Sequence, residues 1–258
     1  MKAGKVYLIG AGPGDAELLT LKAVRALGEA DVVLIDALVN REVLIHAREA
    51  RIVDVGKRGR CSSTYRSTPQ RFIEKLMVRL ARAGHVVARL KGGDPFMFGR
   101  GGEEMLALRE AGVAYEVVSG VTSGIAAPAS IGVPVTHRGL SRGVTFVTAH
   151  GSSVDGADGG IDWPALVRSR TTLVFYMGFA KLAEIAARLV AAGLPDSTPA
   201  AVVQEGTLAS RREVVSTLGR VAEAAAAAGL ASPSLIVVGD VVSLADVGAQ
   251  ATVLAHAA

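Results

Sequence analysis

What most constrains this chain is a repeated join: a short, almost unbroken apolar run that empties into glycine and charge. Val6–Ile9 stops at Gly10-Ala11-Gly12-Pro13-Gly14-Asp15, and Val32–Ile35 stops at Asp36. Arg51–Val55 stops at Gly56-Lys57-Arg58, and His85–Leu90 at Lys91-Gly92-Gly93-Asp94-Pro95. Strands apolar on both faces belong to parallel sheets with helices packed on either side. Segments of helical period lie between these runs. One covers Leu18 to Ala30, with Leu18, Leu21, Val24 and Leu27 recurring on one face. A second runs from Thr68-Pro69 to about Ala83 and is closed by Gly84, and a third runs from Gly102 to Ala111 and is closed by Gly112. Val113–Val118 reads as the next strand. Ligands of such sheets bind at the carboxyl ends of the strands, where the glycine and charge clusters fall.

The second half keeps the alternation less strictly. Ser119 to Gly143 is rich in Gly, Ser and Pro and reads as a short helix plus a connector. Strands are expected at Val144–Ala149, Thr171–Tyr176, Pro199–Gln204, Arg212–Thr217 and Ser234–Val238, and helices at Ala180–Ala192 and Gly219–Ala228. Several β segments follow one another with no helix between, so this sheet is expected to be mixed. The chain therefore reads as α/β: an N-terminal α/β domain over 1–118, a connector over 119–143, a C-terminal α/β domain over 144–245, and an Ala-rich tail over 246–258.

Composition narrows the function classes. Half of the 258 residues are hydrophobic, which supplies a sizeable core. The net charge is +4, and the cations are spread along the chain. A nucleic-acid protein concentrates them in a stripe, whereas a mild cationic excess suits a polyanionic small substrate. The single cysteine, Cys61, permits no intrachain disulfide and suits a reducing compartment. No secretory leader is evident at the start, and no apolar run reaches the ~18 residues of a membrane span. A soluble cytoplasmic protein is expected, with no nucleic-acid or membrane partner. The five histidines are scattered, so no metal site is expected.

Two glycine loops invite ligands. Gly10-Ala11-Gly12-Pro13-Gly14 approaches a dinucleotide fingerprint, and Asp36 follows at roughly the spacing of a ribose-binding acid. Its third glycine comes one residue early, and Pro13 lacks a backbone donor. A tight turn without a ligand is the other reading of this loop. The loop from Lys91 to Glu104 concentrates glycine, charge and aromatic residues. Its glycines allow backbone to approach a flat ligand, Asp94 can accept from ribose hydroxyls, and Phe96, Met97 and Phe98 add apolar surface.

The segments VYLIGAGPGDAELLTLKAVRAL, ADVVLIDALV, VGKR, RLKGGDPFMFGRGGEE, VVSGVTSGIAAPASIGVPVTHRGL, LVFYMG, EGT and PSLIVVGDVV span almost the whole chain. Together they resemble the tetrapyrrole methyltransferase superfamily, and most closely its uroporphyrinogen-III-methylating branch. The resemblance implies two α/β domains with S-adenosyl-L-methionine folded in the cleft between them, distinct from the Rossmann methyltransferases. It implies a homodimer, and a stand-alone enzyme without a fused dehydrogenase–chelatase region. The implied reaction methylates uroporphyrinogen III at C2 and C7, through precorrin-1 to precorrin-2, toward sirohaem or cobalamin. S-adenosyl-L-homocysteine would be released, and no metal would be needed.

By the same resemblance, Pro13, Gly92, Gly93, Asp94, Met97, Thr122, Ser123, Met177 and Gly206 would contact the cofactor. Ser123 stands where relatives carry alanine. Asp36 would accept the proton and Lys57 would donate one. Many relatives carry arginine after that aspartate, and here Ala37 follows. Lys57, Arg58, Arg60, Arg89, Lys91, Arg100 and Arg138 are the cations near the motif loops, with Arg58, Lys91, Arg100 and Arg138 the candidates for the substrate carboxylates. His137 is a further carboxylate ligand or a connector cap. Three alternatives remain: a later precorrin methyltransferase, a nicotinamide oxidoreductase, and a non-catalytic binding protein with the same fold.

Overall fold

In the computed structural model, residues 4–56, 68–149 and 160–246 are described. The chain divides into two compact units, Met1–Thr122 and Ser123–Ala258.

The first unit is a parallel sheet of five strands: β1 (Lys5–Gly10), β2 (Val32–Ile35), β3 (Arg51–Asp54), β4 (Val86–Lys91) and β5 (Ala114–Val118). Their order is β3-β2-β4-β1-β5, and every pairing is parallel. Three helices cover it: α1 (Leu21–Gly28), α2 (Gln70–Arg82) and α3 (Gly101–Glu110). The period-two alternation of the strands sorts the core into two layers. Tyr7, Ile9, Val33, Ile35, Ala88 and Leu90 meet Ala23, Ala26 and Leu27 of α1 on one face. Val6, Leu8, Val32, Leu34 and Val87 meet Ile73, Met77 and Leu80 of α2 and Leu108 of α3 on the other. Each large side chain so buried contributes roughly 1.5–3 kcal/mol. Arg89 and Lys91 follow Val87 at spacings of two. They therefore point to the α2/α3 face of an otherwise apolar strand.

The helices α2 and α3 end where glycine was expected to stop them. Gly84 and Gly112 take φ of 91° and 66°, the left-handed conformation that closes a helix. α1 differs from the sequence reading. Residues Ala16–Leu18 form a separate 3-10 turn, and Thr20 caps α1 by accepting a hydrogen bond from Ala23 N at 3.2 Å. The helix thus starts later, and Leu21, taken as a core position, is 89 % exposed. A polar N-cap decides the start, and the buried stripe moves to Ala23, Ala26 and Leu27.

The second unit holds a mixed sheet of β6 (Val144–Thr148), β7 (Thr172–Tyr176), β8 (Pro199–Gln204), β9 (Arg212–Thr217) and β10 (Ser234–Val238). The order is β6-β7-β10-β8-β9, with only β6–β7 parallel. Helix α4 (Ser123–Ala129) and the residues after it cover one face, through Ala127, Ile131 and Val133 against Val174, Ala201, Val203 and Val237. Helices α5 (Trp163–Arg168), α6 (Leu182–Ala191) and α7 (Val221–Ala227) cover the other, around Phe175, Val202 and Ile236. The sequence reading omitted α5. Its signal is Asp162, which accepts from Ala165 N at 2.9 Å, followed by a proline in the first turn. Among the described residues, no helix is long and apolar enough to cross a membrane.

Candidate active site

Three strand ends meet in the first unit. β1 ends at Gly10, β4 at Lys91 and β5 at Val118, and the loops that follow are tied backbone to backbone. Gly12 and Gly93 exchange reciprocal hydrogen bonds, Gly12 N to Gly93 O at 3.2 Å and Gly93 N to Gly12 O at 2.7 Å. Ala11 N donates to Lys91 O at 2.7 Å. Side chains are excluded from this junction. A Cβ on Gly10 would lie 2.5 Å from Gly93 O and 2.6 Å from Gly120 N, and one on Gly120 would lie 2.4 Å from Gly93 O. The glycines are thus required first by chain packing, and the half-buried crest they form has backbone where other loops have side chains.

Asp94 fastens the second glycine loop. Its Oδ1 accepts from Phe96 N at 2.8 Å, and its Oδ2 accepts from Gly120 N at 3.1 Å, joining that loop to the one after β5. The loop then folds tightly. Phe98 and Arg100 take positive φ, 51° and 60°, and Gly101 N donates to Pro95 O at 3.1 Å. Non-glycine residues in this conformation cost energy that the surrounding bonds must hold.

Below this crest lies a buried cluster of four charges. Asp36 follows β2, Arg89 and Lys91 lie on β4, and Glu104 is on α3. Arg89 Nη2 donates to Asp36 Oδ1 at 2.7 Å, and Arg89 Nε donates to Glu104 Oε1 at 2.9 Å. Arg89 Nη1 reaches the carbonyls of Leu34 and Leu90, each at 3.4 Å. Gln70 of α2 donates to Glu104 Oε1 at 3.2 Å. Lys91 Nζ stands 3.1 Å from Glu104 Oε2, an ion-pair distance without hydrogen-bond alignment, and 3.9 Å from Asp36 Oδ2. Glu104 is fully buried, Arg89 and Lys91 are each 2 % exposed, and Asp36 is partly open.

The charges follow from this packing. Burial alone would pull the Arg89 guanidinium down, but the Asp36 and Glu104 carboxylates outweigh it and its pKa is raised. Burial, then the neighbouring Arg89 charge, holds the Lys91 ammonium below the usual lysine value.

The proposed site residues fall into several groups. Asp36, Lys91, Gly92, Gly93, Asp94 and Pro13 come together at the carboxyl ends of β1, β2 and β4. Lys91 faces the interior of that end. Met97 is half-buried in the second glycine loop. Arg100 is exposed and paired with Glu103 of the next turn at 2.5 Å, and Arg138 is exposed. Thr122 is buried at the end of the first unit and Ser123 begins α4. In the second unit, Met177 follows β7 at φ 54° and is 54 % exposed, while Gly206 is buried between Glu205 and Thr207, both at positive φ. A Cβ on Gly206 would meet Ala127 Cβ at 2.5 Å. Lys57, Arg58 and Arg60 lie outside the described residues, as does the tail beyond 246.

Sequence reasoning did not single out Glu104, and it counted Arg89 only among the cations near the motif loops. The signal available was two cations at alternate positions inside an apolar strand, which require a buried anion opposite. The dinucleotide alternative loses its geometry. That fingerprint needs a helix opening directly on the glycine turn, whereas α1 begins at Leu21 behind a separate 3-10 turn. Asp36 is engaged by Arg89. Among the described residues, no three His, Cys, Asp or Glu side chains are grouped to hold a metal.

The site fits a folded sulfonium nucleoside. Such a ligand needs close backbone approach, an apolar face for its base and no free cation beside the sulfur. The glycine crest supplies the first, and Phe96 and Met97 the second. Among the described residues, the buried cations Arg89 and Lys91 are already turned onto carboxylates.

A family model described as Tetrapyrrole (Corrin/Porphyrin) Methylases matches residues 5–222. The chain is 54 % identical over 239 residues to a uroporphyrinogen-III C-methyltransferase of Pseudomonas aeruginosa, covering 93 % of this chain and 94 % of that one. It is 49 % identical to a sirohaem synthase of Chromobacterium violaceum, covering 95 % of this chain and 51 % of that longer protein. The crystal structure of a uroporphyrin-III C-methyltransferase from Thermus thermophilus, in complex with S-adenosylhomocysteine, superposes with a TM-score of 0.77 at 42 % identity, covering 93 % of this chain and 99 % of that one.

Proposed function

The chain belongs to the tetrapyrrole (corrin/porphyrin) methylase family, and from that membership we propose that it methylates uroporphyrinogen III at C2 and C7, through precorrin-1 to precorrin-2. S-adenosyl-L-methionine, when bound, supplies a methyl group already activated on sulfur. The enzyme's task is then alignment and exclusion of water. The observation that carries this reading is the join of the glycine crest to a partly open carboxylate: Asp36 stands at the end of β2, held at one oxygen by a buried arginine.

The chemistry follows from these residues. The electron-rich pyrrole carbon of the substrate is the nucleophile. Once methylated, the ring carries positive charge and must lose a proton. Asp36 stabilises that charge and accepts the proton on Oδ2, while Arg89 fixes the carboxylate through Oδ1. Lys57 is assigned the donor role by resemblance. Arg138 and Arg58 are assigned to the substrate carboxylates. Arg100 joins them after release from Glu103, while Lys91 belongs to the buried cluster. Pro13, Gly92, Gly93, Asp94 and Met97 hold the cofactor in the first unit, and Thr122, Ser123, Met177 and Gly206 keep the cofactor assignment that the resemblance gives them. A cytoplasmic homodimer completes the reading, supported by the family and the lone cysteine.

Anaerobic incubation with uroporphyrinogen III and labelled S-adenosylmethionine tests it. Two labelled methyl groups per ring are expected. Uroporphyrinogen III left unlabelled, while a later precorrin offered in its place takes the label, would overturn the substrate assignment. Asp36→Ala is expected to abolish turnover and leave S-adenosylhomocysteine affinity unchanged by calorimetry.

A further inference from the structure

The four-charge cluster holds two more residues than proton acceptance needs. Asp36 and Arg89 would suffice to present a carboxylate. The structure adds a fully buried Glu104, with Lys91 against it. A buried ion network stabilises a fold no better than apolar residues of the same size. Its presence at a strand end, beside the proposed acceptor, therefore points to the reaction.

The geometry shows what Glu104 does. It occupies Arg89 Nε at 2.9 Å and lies nearest the Lys91 ammonium, at 3.1 Å against 3.9 Å for Asp36. Without that anion, both buried cations would have Asp36 as their only described carboxylate. We infer that Glu104 is a positioning residue: it draws Arg89 Nε and Lys91 away from Asp36, so that Asp36 keeps one guanidinium contact on Oδ1 and the Lys91 ammonium stays 3.9 Å from Oδ2, the oxygen that takes the proton. This rests on the reading of Asp36 as the acceptor. The charged groups around Asp36 among the described residues are Arg89 and Lys91 from β4 and Glu104 from α3. Asp54 at the end of neighbouring β3 is paired with Arg41, and Glu103 of α3 with Arg100.

The cluster is balanced, two cations against two anions, and that balance makes the inference testable by sign. Glu104→Gln leaves an excess cation. The acid limb of the kcat–pH profile is expected to move to lower pH as kcat falls about tenfold. Lys91→Met leaves an excess anion and moves the same limb to higher pH. The double variant Glu104→Gln/Lys91→Met restores neutrality and returns the limb toward its original place. A residue that merely supported the fold would not give opposite shifts that cancel. Precorrin-2 formation is followed by absorbance across pH, with Asp36→Asn as reference and S-adenosylhomocysteine binding as the check on folding. If Asp36→Asn is inactive while the two single variants leave the limb in place or move it the same way, the inference is overturned. If Asp36→Asn turns over normally, the acceptor reading fails and takes the inference with it. Should Glu104→Gln not fold, Lys91→Met alone decides, since its limb must rise.

Discussion

Arg89→Met is the sharpest test of how the first unit is held together at its functional end. The substitution keeps an unbranched apolar stem, shorter than that of arginine, and removes the guanidinium. Four contacts are lost, two to carboxylates at 2.7 and 2.9 Å and two to carbonyls at 3.4 Å, and with them the charge that balances Glu104. Removing one partner of a buried ion pair costs about 3–5 kcal/mol, because the other charge stays in a low-dielectric site. Lys91 remains 3.1 Å from Glu104. That residual pairing places the loss at the lower end, about 3 kcal/mol. With a urea slope of about 2 kcal/mol per M, the unfolding midpoint falls by about 1.5 M. Arg41→Ala is the control. Its pair with Asp54 spans 3.3 Å with the Arg41 side chain 61 % exposed, so it contributes less than about 1 kcal/mol. Urea titrations followed by far-UV circular dichroism give both values. In the double variant Arg89→Met/Glu104→Gln the stranded anion is gone, and part of the lost stability returns as a favourable coupling. A midpoint shift for Arg89→Met no larger than that for Arg41→Ala would refute the account of a buried, mutually dependent cluster.

Two further outcomes follow from the coordinates. Gly120→Ala places a Cβ 2.4 Å from Gly93 O and is expected to destabilise the chain and weaken S-adenosylhomocysteine binding together, whereas Gly102→Ala meets nothing within 4 Å and leaves both unchanged or slightly improved; thermal melts and calorimetry separate the two. Glu116 is held at a pKa of about 2, against 4.5 ordinarily, by hydrogen bonds from Lys22 and then Lys5. Its folded value is depressed, so its contribution is present above pH 4.5 and is lost as pH falls toward 2. Glu116→Gln should flatten that part of the stability–pH curve, and an unchanged slope would show that the two lysines do not hold it.

How much of this was legible beforehand differs by element. The apolar runs ending in glycine and charge specified a covered parallel sheet, because only strands buried on both faces read that way. The consecutive β segments after Val144 specified a mixed second sheet. Gly84 and Gly112 marked helix ends because closing a helix in the left-handed region favours glycine. The second glycine loop stood out as a candidate ligand site from local pattern, whereas the role of Asp36 came from the resemblance. Other features were not legible. Leu21 fits an apolar helical stripe, yet Thr20 captures the amide of Ala23 and turns that position outward. Asp94 reads as a ligand group, and its carboxylate also joins two loops through Phe96 N and Gly120 N.

The sequence by itself determined the alternation, the sheet types and the family, since each rests on short-range periodicity or on unbroken motifs. Only the tertiary structure decided that Gly10, Gly93 and Gly120 are glycines because three strand ends press together, and that Glu104 faces Arg89 and Lys91 inside the protein. Those contacts join residues from 13 to more than 100 positions apart, and nothing in local propensity encodes which buried cation meets which buried anion. Burial settles that choice: an ionised group removed from water must find its partner wherever the packing of sheet and helix brings one within reach.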